Sequence, residues 1–88
     1  MAYFAVSYQL NKTKNYPKLW DEMGRLGGHK AMDSFYLLDL TNETSSSVKD
    51  HLQSFVDDDD MIFVARMDQR PAALKCYKGT YKWIDDRF

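Results

Sequence analysis

Apolar and polar residues alternate in the first part of the chain, from Ala2 to Leu10. This period of two is typical of a β-strand with one buried face. Phe4, Val6 and Tyr8 would share the buried face, and the residues between them would lie on the other face. Later runs rich in β-branched, aromatic and other apolar residues also favour extended structure. These further predicted strands are His29–Met32, Phe35–Leu40 and Met61–Met67.

The segment after the first strand has the spacing of an amphipathic helix. It follows a polar connection of residues 11–15. Asn15 is expected at its N-cap and Pro17 in its first turn, where the missing N–H group costs nothing. Gly27-Gly28 should end this helix, because glycine adopts the left-handed conformation without strain. The apolar stripe consists of Leu19, Trp20, Met23 and Leu26.

A second helix is predicted between the third and fourth strands. Its apolar stripe consists of Val48, Leu52 and Phe55, at positions i, i+4 and i+7. Ser47 and Asp50 have the spacing of a capping box, which predicts that the helix begins near Ser47.

The predicted order of elements is β-α-β-β-α-β. With right-handed crossovers, this order gives an α+β fold of the ferredoxin-like type, in which two helices cover one face of an antiparallel sheet. We expect a single domain over residues 1–88, with its core in residues 2–67. The tail, residues 68–88, is expected to dock as an appendage on the sheet or on a partner subunit. Ala72–Lys78 fits a short helix or an edge strand, and Gly79-Thr80 a break and cap before a last turn.

Composition limits the classes of function. The chain has 88 residues, of which 44% are hydrophobic and 15% aromatic. So short a chain leaves much apolar surface uncovered, which predicts a homodimer. A net charge of −1 argues against general nucleic-acid binding. The single cysteine, Cys76, excludes an internal disulfide and a multi-cysteine zinc site. Without a signal peptide or an apolar run of membrane length, we expect a cytoplasmic protein with no membrane contact.

A series of short motifs runs through residues 2–67. They are Tyr8-Gln9-Leu10, Tyr16 with Leu19, Gly27-Gly28, Asp33-Ser34-Phe35, the helix Val48–Phe55, and Asp60 leading into Met61–Met67. This series resembles the SinR-like proteins, which are small ferredoxin-like relatives of the CRISPR-associated Cas-two proteins and, more distantly, of the VapD ribonucleases. The tail after Asp68 has no counterpart in the resemblance.

The resemblance implies chemistry at the tip of the first strand. In the Cas-two family, the middle residue of the first-strand triplet is typically an aspartate, implicated in binding a divalent metal across a dimer interface. Here this position holds Gln9, whose neutral amide is a poor ligand for magnesium. Asp33 and Ser34 remain as candidate catalytic residues, and Asp33 and Asp60 as candidate metal ligands. No cofactor is expected unless the chain is a nuclease, which would use Mg²⁺.

Other charged residues have simpler interpretations. The run Asp57–Asp60 lacks the glycine and the alternating ligands of an EF-hand loop, so it is interpreted as a solvated loop. The two histidines, His29 and His51, are interpreted as partly exposed imidazoles rather than as an acid–base pair.

Basic and aromatic side chains alternate in the tail. Such a mixture can stack on nucleobases while neutralising phosphates, or dock with its rings inward and its ammonium groups in water. The first hypothesis is a dimeric, non-catalytic binding module with a protein or nucleic-acid partner. The alternative is a metal-dependent endoribonuclease or endodeoxyribonuclease of the Cas-two or VapD type. The candidate binding residues are Tyr8, Gln9, Lys75, Tyr77, Lys78, Tyr81, Lys82 and Trp83.

Overall fold

A computed structural model describes residues 2–12 and 15–88, and it confirms the α+β class. Thr13 and Lys14, in the predicted polar connection, lie outside the described residues. The strands are β1 (Ala2–Gln9), β2 (His29–Met32), β3 (Phe35–Leu40) and β4 (Met61–Arg66). The helices are α1 (Tyr16–Arg25), α2 (Ser45–Gln53) and α3 (Thr80–Arg87). None of these helices is both long and apolar enough to cross a membrane.

The strands form one antiparallel sheet in the order β2-β3-β1-β4. Ala2 lies opposite Leu40 of β3, and Gln9 lies opposite Met61 of β4, so β1 is paired on both sides. Because β1 and β2 are both antiparallel to β3, they run parallel to each other, and α1 connects them. In the same way, α2 connects the parallel strands β3 and β4 across β1.

The predicted alternation of β1 is confirmed by its burial. Phe4, Val6 and Tyr8 are buried beneath α1 and α2, whereas Ser7 and Gln9 are exposed on the opposite face. Burying a large apolar side chain contributes about 1.5–3 kcal/mol, so this cluster is the main core. Its other buried members are Ala2, Leu10, Leu19, Met23, Tyr36, Leu38, Val48 and Leu52.

A second, smaller core lies on the opposite face of the sheet. Ala31 and Leu37 of the sheet are buried there against Trp83 and Ile84 of α3. Arg87 of α3 adds an ion pair with Asp39 of β3, at 2.8 Å. The half-buried residues packed against this core are Tyr3, Ala5, Phe35, Met67, Ala73 and Phe88.

The predicted N-cap of the second helix is wrong by three residues. Thr44, rather than Ser47, is the N-cap, and α2 begins at Ser45. The Thr44 hydroxyl accepts a hydrogen bond from the Ser47 amide at 3.0 Å, and the Ser47 hydroxyl accepts one from the Thr44 amide at 2.8 Å. A serine therefore fills the position that glutamate or glutamine usually takes in a capping box, so the motif lies three residues earlier than the pattern indicates.

The alternatives for Ala72–Lys78 are also wrong, because the structure has neither a helix nor a strand there. Pro71 lacks an N–H donor, and Lys75 adopts a left-handed φ of 56°. The segment is held by tertiary contacts instead, since the Tyr77 amide donates to the carbonyl of Ala31 at 3.0 Å. Gly79 then takes φ 95° at the N-cap of α3, which agrees with the predicted break.

Candidate binding surface

The C-terminal end of β1 lies in the part of the sheet face that α3 leaves uncovered. Gln9 is exposed and lies opposite Met61, while Ser7 lies between Phe35 of β3 and Phe63 of β4. Because neighbouring strands are about 4.8 Å apart, the two phenylalanines are separated by roughly 10 Å, with the small serine between them. A shallow trough with apolar walls results.

The rest of this surface is exposed because α3 covers only part of this face of the sheet. The side chain of Phe63 is 69% exposed and that of Met61 is 55% exposed. Met32 and Tyr77 line the same side of the trough as Phe35. We call this surface the open patch, and we define it by the exposed residues Ser7, Gln9, Met32, Met61, Phe63 and Tyr77.

Asp33 and Ser34 lie at the rim of the open patch, in the turn between β2 and β3. The Tyr8 amide donates to the carbonyl of Ser34 at 3.1 Å, and the Tyr8 hydroxyl donates to the carbonyl of Asp33 at 3.2 Å. The hydroxyl of Tyr77 donates to the Asp33 carboxylate, and this hydrogen bond raises the pKa of Tyr77. The structure therefore brings Asp33 to Tyr77, two residues that the sequence assigned to different sites.

Tyr8 itself is buried, so it cannot contact a partner through its ring. Its hydroxyl accepts a hydrogen bond from Nε1 of Trp20 at 2.7 Å. Burial raises the pKa of Tyr8 to about 12. The ammonium group of Lys30 lies 4.1 Å from the ring centroid of Trp20, a favourable cation–π contact. Tyr8 thus supports the turn that carries Asp33 from below.

Asp60 lies at the other edge of the sheet from Asp33. One of its carboxylate oxygens accepts the Asn11 amide and the other accepts the Asp57 amide, both at 2.8 Å. Asp60 therefore holds the loop before β4 against the end of β1. Since β2 and β4 are three strand spacings apart, roughly 14 Å, Asp33 and Asp60 cannot bind one Mg²⁺ ion together.

The aspartate run contains a compact acidic group. Ligand atoms of Asp57, Asp59 and Asp60 all lie within 4.8 Å of one another. Its charge is partly balanced within the chain, because Lys12 lies 3.3 Å from Asp57 and the Asn15 amide group donates to Asp57 at 2.8 Å. The side chain of Asn15, predicted to cap α1, makes this contact instead of a capping hydrogen bond. A solvated loop remains the sufficient interpretation.

Among the candidate binding residues of the tail, one is buried and the others are exposed. Trp83 is buried in the second core, where its ring meets Tyr3 edge to face at 6.1 Å. Tyr81 is exposed but donates its hydroxyl to the carbonyl of Ala73 at 2.8 Å. The lysines point away from this core. Lys75, Lys78 and Lys82 are all exposed.

Both histidines have partners that the sequence did not reveal. Nε2 of His51 lies 2.5 Å from the carboxylate of Glu22, which is only 5% exposed and also accepts two hydrogen bonds from Arg25. These donors, first Arg25 and then His51, lower the pKa of Glu22 to about 2. The available signal was the position of Glu22, three residues after Leu19 and on the apolar side of α1.

His29 is half-buried under the start of α3. The Thr80 hydroxyl donates to the carbonyl of Tyr77 at 2.7 Å, and it lies 2.8 Å from Nε2 of His29. Because a hydroxyl carries one proton, Nε2 of His29 must be the donor in the second contact. Burial lowers the pKa of His29, and the nearby charge of Arg87 adds to this effect.

No family model matches the chain. The geometry also brings no complete catalytic set together among the described residues. At the open patch, Gln9 offers a neutral amide, and the Asp33 carboxylate accepts a hydrogen bond from the Tyr77 hydroxyl. The hydroxyl of Ser34 has no histidine beside it in the turn. This arrangement can bind an apolar group in the trough. The polar groups at the rim can form hydrogen bonds with the same ligand.

Proposed function

We propose that the chain is a non-catalytic binding module that acts as a homodimer and engages a protein partner through the open patch. The observation that carries this proposal is the exposure of Phe63 and Met61 on a sheet face whose other half is covered by α3. Exposed apolar side chains that form a contiguous patch mark interaction sites in small proteins.

The fold supports a relationship to the SinR-like and Cas-two-like proteins. Each of the helices α1 and α2 connects two parallel strands that have one antiparallel strand between them. Two interleaved units of this kind are the basis for proposing a ferredoxin-like fold. Within that fold, the tip of β1 holds the Gln9 amide where the Cas-two family typically has an acid.

A protein partner fits the surface better than a nucleic acid does. The walls of the trough are apolar, and the charged side chain that lines it is the acidic Asp33. Nucleic-acid binding depends on cations that neutralise phosphates, and Asp33 would repel a phosphate at this position. A partner that inserts an aromatic or aliphatic side chain between Phe35 and Phe63 would bury both rings.

Selection of displayed peptides on the immobilised protein tests this proposal. Peptides with apolar anchors should bind the wild type and lose at least about tenfold in affinity with Phe63→Lys, which corresponds to about 1.4 kcal/mol. Leu74→Lys is the matched control, because Leu74 is 80% exposed and lies outside the open patch. Equal binding by wild type and Phe63→Lys would contradict a role for the patch.

The homodimer has a separate test in light scattering of the purified chain. A mass of twice the 10.3 kDa protomer is expected at micromolar concentration. A monomer throughout this range would overturn the dimer and leave the peptide result unaffected.

The alternative function is a metal-dependent nuclease. One observation favours it, namely that the Asp33 carboxylate lies at the same end of the sheet as Gln9, so an acid is present beside the strand tip. Cleavage of RNA or DNA that requires Mg²⁺ or Mn²⁺ and is lost in Asp33→Ala would establish the nuclease. We expect neither the wild type nor Gln9→Asp to cleave, because Asp33 and Asp60 are too far apart to complete a metal site.

A further inference from the structure

The outer edge of β4 is an unpaired strand edge. Among the described residues, β4 pairs only with β1. The Met67 amide donates to the carbonyl of Tyr3 at 2.8 Å, so the odd-numbered residues of this strand direct their backbone groups to β1. Because antiparallel ladders alternate, the backbone N–H and C=O groups of Ile62, Val64 and Arg66 point outward.

The two edges of the sheet differ in protection. At the β2 edge, the register shifts between Lys30 and Met32, and the Tyr77 amide occupies the carbonyl of Ala31. Bulges and covering segments of this kind prevent edge-to-edge association. Within the part of the chain that the structure describes, the β4 edge has neither a bulge nor a covering segment. It presents five consecutive apolar residues, Met61–Ala65, without proline. An unprotected apolar edge of this kind favours association with another strand.

We propose that β4 pairs antiparallel with β4 of a second copy of this chain, around a two-fold axis at Phe63, to form one continuous eight-stranded sheet. The inference rests on the proposed homodimer and specifies its interface. Phe63, the residue at the axis, also belongs to the open patch, so the interface is tested by cross-linking and by a variant outside the patch rather than by peptide binding.

The charges at the ends of β4 select the antiparallel orientation. The acidic run Asp57–Asp60 precedes the strand, and Arg66 ends it. Antiparallel pairing places the acidic end of one copy beside Arg66 of the other, twice, because the interface is symmetric. Parallel pairing would place the two acidic runs side by side, where they repel.

The pleat and the charges together select the register. Residues directly opposite each other must lie on the same face of the sheet. With the axis at Phe63, Ile62 lies opposite Val64 of the second copy, and Asp60 lies opposite Arg66. Moving the axis to Val64 would instead place Asp60 opposite Asp68, and Ile62 opposite Arg66. The register at Phe63 therefore pairs apolar with apolar residues and acid with base.

Both charged groups retain capacity for this pairing. Arg66 contacts the exposed Asp68 through Nε, at 3.0 Å, and its terminal nitrogens have no acceptor among the described residues. Each carboxylate oxygen of Asp60 accepts one backbone N–H group and has a second lone pair for an arginine donor. The outward backbone groups of Ile62 and Val64 then supply the ladder hydrogen bonds between the copies.

Cysteine cross-linking tests the register directly. In a Cys76→Ser background, Phe63→Cys should form a disulfide-linked dimer in mild oxidant, because a non-hydrogen-bonded pair has a Cα separation of about 4.5 Å, within disulfide range. Ala65→Cys in the same background is the matched control. Its two copies would lie roughly 14 Å apart, four residues along the ladder, and should not cross-link.

A charge reversal tests the interface without cysteine. Arg66→Glu should raise the dimer dissociation constant at least tenfold in analytical ultracentrifugation, whereas Lys78→Glu, with the same charge change on the exposed tail, should not. Circular dichroism checks that each variant is folded.

Three outcomes would overturn the proposed interface. They are a light-scattering dimer in which Phe63→Cys does not cross-link, equal cross-linking by Ala65→Cys, or equal weakening by Lys78→Glu. In each, the homodimer stands and only its interface is wrong. A monomeric wild type overturns both the interface and the homodimer.

Discussion

Nε2 of His51 lies 2.5 Å from the buried carboxylate of Glu22, and this contact joins α2 to α1 across the top of the main core. Arg25 donates two further hydrogen bonds to the same carboxylate. The charged carboxylate of Glu22 is tolerated in this buried position between α1 and α2 because its hydrogen-bonding capacity is satisfied.

Replacing the carboxylate of Glu22 should make the free energy of unfolding less dependent on pH in the acidic range. The pKa of Glu22 is about 2 in the folded chain, against 4.5 as its ordinary value. A lowered pKa contributes stability above pH 4.5 that is lost as the pH falls toward 2. Glu22→Gln should therefore lower the urea midpoint at pH 7, while its difference from wild type shrinks below pH 3. Asp21→Asn, at an exposed neighbour, is the control, and equal midpoints at pH 7 would contradict the prediction.

Removing the Tyr8 hydroxyl should destabilise the turn at Asp33. Tyr8→Phe loses the hydrogen bonds to Nε1 of Trp20 and to the Asp33 carbonyl, which predicts a loss of about 1 kcal/mol in the free energy of unfolding. Thermal unfolding should show a decrease in Tm of roughly 4–8 °C. Tyr81→Phe removes one hydrogen bond, to the carbonyl of Ala73, but at an exposed ring where water replaces it, so it should lower Tm much less. The same decrease in both variants would contradict the role of Tyr8.

The same residue predicts a response to alkali. Because the pKa of Tyr8 is about 12 when folded and 10.0 ordinarily, its contribution to stability is complete below pH 10 and is lost as the pH rises toward 12. Wild type should lose stability more steeply than Tyr8→Phe across this interval. Parallel urea midpoints for the two proteins between pH 10 and 12 would count against it.

Two glycines of the first crossover should respond oppositely to alanine. A Cβ atom on Gly28 would lie 2.7 Å from Cδ2 of Leu38 and 3.0 Å from the carbonyl oxygen of Met23, so Gly28→Ala should cost about 1–3 kcal/mol. Gly24 lies within α1, and its added Cβ would meet nothing within 4 Å. Gly24→Ala should therefore stabilise by about 0.5–1 kcal/mol. Urea unfolding of both variants checks the sign, and a stabilising Gly28→Ala would refute the close packing.

Helix α3 should depend on one aliphatic anchor. Ile84 is 2% exposed in the second core, and Ile84→Ala should cost about 2–4 kcal/mol. Proteolysis within residues 68–88 should become faster because the tail then undocks more often. Asp86→Ala shortens an exposed side chain whose ion pair, with Lys82, lies within the same helix, and it should leave proteolysis almost unchanged. Equal protection of wild type and Ile84→Ala would show that α3 is held otherwise.

The regular elements were predictable because their signals are local. Alternation in β1 and the helical spacing of Leu19 and Met23 each report which side of an element is buried, and the structure buries those sides. The same alternation placed Tyr8 inside, which conflicts with its assignment as a binding residue. Trp83 is buried for a different reason, since only the tertiary position of α3 brings it against Tyr3.

The missed features all depend on contacts distant in sequence. The partners of Glu22 and Asp33 are His51 and Tyr77, on other elements. The segment before α3 is ordered by the bond from Tyr77 to Ala31, for which no local pattern exists. The exposure of Phe63 was hidden as well, because an apolar strand has the same composition whether its outer face is covered or open.

The position of β1 at the centre of the sheet also bears on how the chain folds. Its neighbours are β3 and β4, so Ala2 must find Leu40 and Gln9 must find Met61. Neither pairing is a short hairpin, and the entropy of closing both loops is lost before the main core can form. We therefore expect folding in milliseconds rather than microseconds, as in other small domains with non-local strand pairing. Before β4 pairs with β1 during folding, the strand that carries Phe4 and Val6 has one unpaired edge.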